Sequence, residues 1–154
     1  MILDALGLLS DAQALTATAL STNTIDLGAT TPQRQIGTGR GVGAVICIDV
    51  AADFGNTDET YKFDLVQSSA AALTTSTVLA SEAYIASGVM ISTLLTVKYI
   101  IVLPCPPGMP LQRYIGINYT LAGTTPTITV TAFFGALASM AVYPALYAKG
   151  YTIS

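Results

Sequence analysis

The sequence predicts an all-β fold, an antiparallel sandwich or barrel of about seven or eight strands. Three observations carry this. Several segments alternate apolar and polar residues with a period of two, as half-buried strands do. Gly and Pro punctuate the chain at short intervals, the spacing expected of strand–turn architectures. Helical periodicity is nearly absent. A chain of 154 residues reads as one domain and can bury roughly two thirds of its unfolded surface without a metal or a disulfide.

The opening 1–20 is an arm. Ile2, Leu3, Leu6 and Leu9 have helix-like spacing, but Gly7 interrupts them and Ser10 follows. One short turn or an extended segment is predicted there. The strands are then expected over 21–134. "TNTIDLG" at 22–28 alternates and stops at Gly28. "VGAVICIDVAAD" at 42–53 is almost wholly apolar, the pattern of a strand covered on both faces. "TYKFDLVQ" at 60–67 puts Tyr61, Phe63 and Leu65 on one face and Lys62 and Asp64 on the other.

The stretch 68–96 is rich in Ala, Ser and Thr, with short strands expected at 77–79 and 90–95. "VKYIIVLP" at 97–104 is a covered strand ended by Pro104, and "PCPPGMP" at 104–110 is a loop because proline cannot donate to a ladder. "RYIGINYTL" at 113–121 lines up Ile115, Ile117, Tyr119 and Leu121. "TITVTAFF" at 127–134 turns Ile128, Val130, Ala132 and Phe134 inward and Thr127, Thr129 and Thr131 outward. With "AGTTP" between them, these two are expected to form a hairpin. A C-terminal segment, 135–154, closes the chain.

The motif "GTGRGVGA" at 37–44 fits a loose phosphate-loop pattern. Such a loop needs a strand before it and a helix after it, so that free N–H groups and the dipole meet the phosphate. Here a Pro-containing loop precedes the glycines, and a Val- and Ile-rich run follows. The glycines are therefore expected to serve the backbone, by positive φ or by close approach to a neighbour. Arg40 at the tip is a candidate partner contact.

Composition narrows the function classes. Hydrophobic residues make up 52 % and charged residues 10 %, against about 25 % charged in ordinary domains. That balance points to surface covered in the working state, by a copy of itself or by a partner. Net charge is −3, and the six Lys and Arg are scattered, so no basic stripe is available for phosphates and direct nucleic-acid binding is not expected. Histidine is absent, which removes Ser-His-Asp and Cys-His nucleophiles and the usual zinc sets. Cys47 and Cys105 lie in apolar runs and read as small buried hydrophobes. The start lacks a basic n-region and does not read as a signal peptide. The uncharged stretch 128–148 approaches membrane-spanning length, but its alternation and its Gly135 and Pro144 read against a span.

Asp49, Asp53, Asp58 and Glu59 cluster around one loop without the spacing of a calcium loop. They read as a solvated acidic turn, with cation binding left open. Nothing places two of them in a pocket for acid–base work. Tyr143, Tyr147 and Tyr151 recur at four-residue spacing, and tyrosine favours surfaces where one end of the ring is buried and the other wet. They join Ile2, Leu3, Leu6, Leu9 and Arg40 as candidate partner contacts. No catalytic, cofactor-binding or metal residue is assigned.

Residues 113–134, "RYIGINYTLAGTTPTITVTAFF", resemble the signature hairpin of many tailed-bacteriophage capsid proteins of the decoration, or cement, class. Residues 1–28 resemble the N-terminus of the short-tailed-phage cement protein family. The resemblance implies a jelly-roll-like β-sandwich with neither catalysis nor cofactor. It implies a homodimer on the outer surface of an icosahedral head built from a different, HK97-like major capsid protein. Such a protein is made in the host cytoplasm and contacts neither nucleic acid nor membrane. A jelly-roll module that binds a carbohydrate or a host surface is the alternative, and the absence of Trp counts against it.

Overall fold

The computed structural model describes residues 7–29, 39–52, 58–86 and 99–137. Nine strands lie in these residues: β1 (Leu8–Leu15), β2 (Ala19–Leu20), β3 (Ile25–Asp26), β4 (Gly39–Ala52), β5 (Thr60–Ser68), β6 (Thr77–Ala86), β7 (Tyr99–Cys105), β8 (Tyr114–Ala122) and β9 (Thr127–Ala136). They form two antiparallel sheets. The first has the order β1-β9-β4-β7; the second has the order β2-β8-β5-β6, with β3 also on β8.

β2 and β3 pair with successive parts of β8, Ala19 opposite Tyr119 and Ile25 opposite Ile115. They act as one strand interrupted at 21–24. With that strand counted once, each sheet has four strands, and only β5 and β6 are joined within a sheet. Every other connection crosses the sandwich. This is the double-sheet jelly-roll order.

The sheets meet through the faces that alternation predicts. Ala44, Ile46 and Ile48 of β4, Ile101, Leu103 and Cys105 of β7, and Ile128, Val130, Ala132 and Phe134 of β9 form one wall. Tyr61, Phe63 and Leu65 of β5 and Ile115, Ile117, Tyr119 and Leu121 of β8 form the other. Each such fully buried aliphatic side chain contributes about 1.5–3 kcal/mol. A polar bond ties the walls together: the hydroxyls of Ser10 in β1 and Tyr119 in β8 lie 2.8 Å apart in the interior. β4 is covered on both faces as expected, since Val45 and Cys47 on its outer side pack with Leu137, Ile100 and Phe133.

Two expectations fail. The segments 113–121 and 127–134 are not a hairpin, because β8 and β9 lie in different sheets. Alternation shows that each strand has one inward face, and it cannot distinguish side-by-side strands from strands facing each other across a core. The second failure is the expected start of the strands at 21: β1 begins at Leu8, and of the two structures expected for the arm the extended one is found. The pairing of β1 with β9 shifts register twice, between Leu8 and Ser10 and between Ser10 and Gln13, and Ala12 has φ +43°. Bulges of this kind erase the period-two signal and also protect an exposed sheet edge.

Other boundaries move by a few residues. β6 runs on to Ala86, and β7 carries Pro104 and Cys105 into the ladder. Pro104 is tolerated because among the described residues β7 is an edge strand, paired with β4 alone. The segment 22–28 keeps only two ladder residues, and Gly28 turns the chain with φ +89°. The strand expected at 90–95 lies outside the described residues. Residues 128–136 belong to β9, and no helix among the described residues is long and apolar enough to cross a membrane.

Candidate functional site

The candidate contact residues scatter. Leu9 is fully buried in the core, so it is a packing residue and not a partner contact. Its place in β1 points it between the sheets. Arg40 lies near the start of β4. Ile2, Leu3, Leu6, Tyr143, Tyr147 and Tyr151 lie outside the described residues. The glycine motif opens a strand and no helix follows it. Gly43 is there for close approach, because a Cβ would strike the carbonyl oxygen of Leu103 on β7.

The acidic residues do not converge. Asp49 sits on the outer face of the first sheet, where the Thr131 hydroxyl donates to its carboxylate. Thr131 also accepts the backbone N–H of Ala12, 3.1 Å away. The threonine face of β9 is thus a sheet exterior that fastens β1 and β4 to β9. Asp58 accepts from the Thr124 hydroxyl at 2.8 Å. Glu59 is buried against the turn at Gly123, whose φ is +113°, and neither of its carboxylate oxygens has a hydrogen-bond partner among the described residues. Asp53 lies outside the described residues. Among the described residues no three acidic or cysteine side chains group in a way that could hold a metal.

The opposite end of the sandwich is more elaborately built. Two consecutive side chains at the end of β5 each hold a loop. Gln67, following the inward series of β5, accepts the N–H of Gln112 at 2.9 Å and donates to the carbonyl of Pro110. Ser68, following the outward series, donates to the carbonyl of Thr75 at 2.9 Å and accepts the N–H of Ala70. Both are buried. The loop 69–76 also tucks Leu73 against the outer side of β8, on the spot that Gly116 leaves free. In the loop 106–112, Pro107-Gly108 occupies the centre of a turn with φ +76° at Gly108, the value a type II turn requires.

Beside these loops Arg113 grips Asp26 with two bonds of 2.8 Å and stacks on the Tyr114 ring, 4.9 Å from its centroid. The bond to Asp26 pushes the guanidinium further up. The pair is half-exposed, so its worth lies in ordering the loop base more than in stability.

Charge is otherwise sparse. Lys62 pairs with the buried Asp64 at 3.0 Å on the outer face of the second sheet, and Ser81 donates to the same carboxylate. The large hydrophobic side chains exposed among the described residues are Val78, Val102 and Met109. All three fall in stretches, 65–81 and 99–112, that contain no charged residue. That absence was open to reading in the sequence, but nothing there showed that the two stretches adjoin.

Burial pushes up the Cys105 thiol and the Tyr119 phenol. Burial also raises Tyr61, helped by the charge of Glu59. These groups are neutral in the fold where an unfolded chain would begin to ionise them. Their contribution is intact below the ordinary thiol value of 9.0 and is lost as pH rises above it. The melting temperature should therefore fall progressively above about pH 9, and Cys105→Ser should remove the earliest part of that fall. A melting curve unchanged between pH 8 and about pH 11 would contradict this assignment.

Residues 9–134 match the model of the Bbp16 family. The chain belongs to the Bbp16 family. The matched span begins at Leu9 in β1 and ends at Phe134 in β9, so it reaches from the first strand to the last. No curated protein matches the chain.

Proposed function

We propose that this Bbp16-family chain is a structural virion protein: a cement, or decoration, protein of a phage head. It binds the outer surface of an icosahedral capsid as a homodimer. There it bridges neighbouring subunits of an HK97-like major capsid protein and holds the head against the pressure of packaged DNA. The observation that carries this reading is the family match from β1 to β9, which supports a phage-type protein. The likeness of residues 1–28 and 113–134 to phage cement proteins points the same way.

The physical chemistry suits the role. Each copy contributes modest binding energy, but many copies bridge one shell, so local opening must break several clamps together. A charge-poor exterior can be covered without stripping water from many ions. The reading involves no catalysis, cofactor, membrane or direct nucleic-acid contact.

The test is the stoichiometry of this chain against the major capsid protein in purified heads, with imaging of heads that carry and lack it. A ratio near one to one is expected, with protrusions that vanish when the chain is removed. A few copies per particle would overturn the cement reading in favour of a module that recognises a carbohydrate or host surface.

A further inference from the structure

We propose that the end of the sandwich where β5 begins binds a calcium ion, with the buried Glu59 carboxylate as its principal ligand and Asp58 and the β8–β9 turn supplying further oxygens. The proposal is independent of the cement reading.

Glu59 carries the argument. It is fully buried, and neither carboxylate oxygen has a hydrogen-bond partner among the described residues. Every other buried polar side chain named above is spent on a hydroxyl, an amide or an ion pair. An ionised carboxylate held away from water without a partner is among the costliest arrangements a fold can carry, and a bound cation removes that cost.

The surroundings are those of an oxygen site. Glu59 stands two residues before Tyr61 and continues the inward series Tyr61, Phe63 and Leu65. Its charge reaches the Tyr61 phenol, whose hydroxyl donates to the Thr127 carbonyl at 3.2 Å. That carbonyl has a second lone pair to give. The β8–β9 turn lies directly on residues 58 and 59, since a Cβ on Gly123 would sit 2.6 Å from the Glu59 Cα and 3.0 Å from the Asp58 carbonyl oxygen. Thr124 holds the Asp58 carboxylate beside the same turn at 2.8 Å.

The chain supplies no cation of its own here. No Lys or Arg occurs in 41–52, 58–61 or 114–136, the described segments that frame this end. Lys62, the next residue, is held by Asp64 on the outer face of the second sheet. With carboxylate, hydroxyl and carbonyl oxygens alone, the ion is a hard one. Turn backbone suits the loose coordination of calcium better than the strict octahedron of magnesium. Two carboxylates make a weak site, with a dissociation constant of about 0.1–1 mM.

Calorimetric titration of the purified chain with calcium, together with melting curves in calcium and in chelator, tests the proposal. Calcium at about a hundred times its dissociation constant should raise the melting temperature by about 5–10 °C. Glu59→Gln should lose that shift and bind at least about tenfold more weakly. In chelator it should melt no lower than the unaltered chain, because a buried unpaired charge has gone. Asp49→Asn removes a carboxylate from the outer face of the first sheet, where Thr131 holds it, and should bind calcium as the unaltered chain does. Absence of binding by the unaltered chain at about 10 mM calcium would overturn the site. Full binding by Glu59→Gln, or a loss confined to Asp49→Asn, would overturn it equally.

Discussion

Phe63→Ala should lower the melting temperature by roughly 10 °C or more, the larger of the two strongest effects expected. Phe63 is fully buried and directly opposite Tyr119 in the β5–β8 ladder. The rings meet edge to face, 6.0 Å apart and 82° inclined. Truncation removes that pair and leaves a cavity between two sheets that cannot collapse, at a cost of about 3–5 kcal/mol. A domain of this size holds only about 5–15 kcal/mol in all, and each kcal/mol moves its midpoint by about 2–4 °C. Tyr119 would also lose the ring that positions its hydroxyl against Ser10. Phe63→Leu keeps most of the volume and should cost less than half as much. Equal melting points for Phe63→Ala and the unaltered chain would mean that the two walls do not pack through this pair.

Gly43→Ala should come next, because the clash is with backbone. The added Cβ would meet the Leu103 carbonyl oxygen and lie 2.8 Å from the Pro104 Cα. Neither can rotate away, so β7 must shift from β4 and expose Ile101 and Leu103, which line the core. A cost at or above the upper end of about 1–3 kcal/mol is expected. The strand supplies its own control. A Cβ at Gly41 would meet nothing within 4 Å, so Gly41→Ala should leave the melting temperature nearly unchanged. Similar losses from both substitutions would show that glycine matters here for chain flexibility and not for close approach.

The glycine motif shows how far the residues alone can be read. Its Val- and Ile-rich continuation excluded the helix that a phosphate loop needs, and it pointed to a backbone role. Which neighbour approaches Gly43 depends on β7, some sixty positions away in the chain. The inward faces of β4, β5, β8 and β9 were legible for a similar reason. Alternation records which side of a strand meets water, and that is a local property. β1 was not legible, since its bulges destroy the alternation that would reveal it. Leu9 was grouped with the candidate partner contacts because the helical spacing of its neighbours hid its place in a strand.

The end of the sandwich where β5 stops combines both cases. The uncharged runs 65–81 and 99–112 are plain in the chain. The consecutive Gln67 and Ser68 that hold its loops carry no pattern, because each acts on backbone through contacts made only when the fold closes.

By itself, then, the sequence determined the all-β class, the apolar face of most strands, the exclusion of a nucleotide loop and a charge-poor exterior. The tertiary structure alone decided which strands share a sheet, that 113–121 and 127–134 face one another across the core, and which loops meet at one corner. The reason is physical. Burial acts through each side chain, so its record is kept residue by residue. Strand pairing acts through backbone groups that are alike at nearly every position, so partners are chosen by the closing of the whole core.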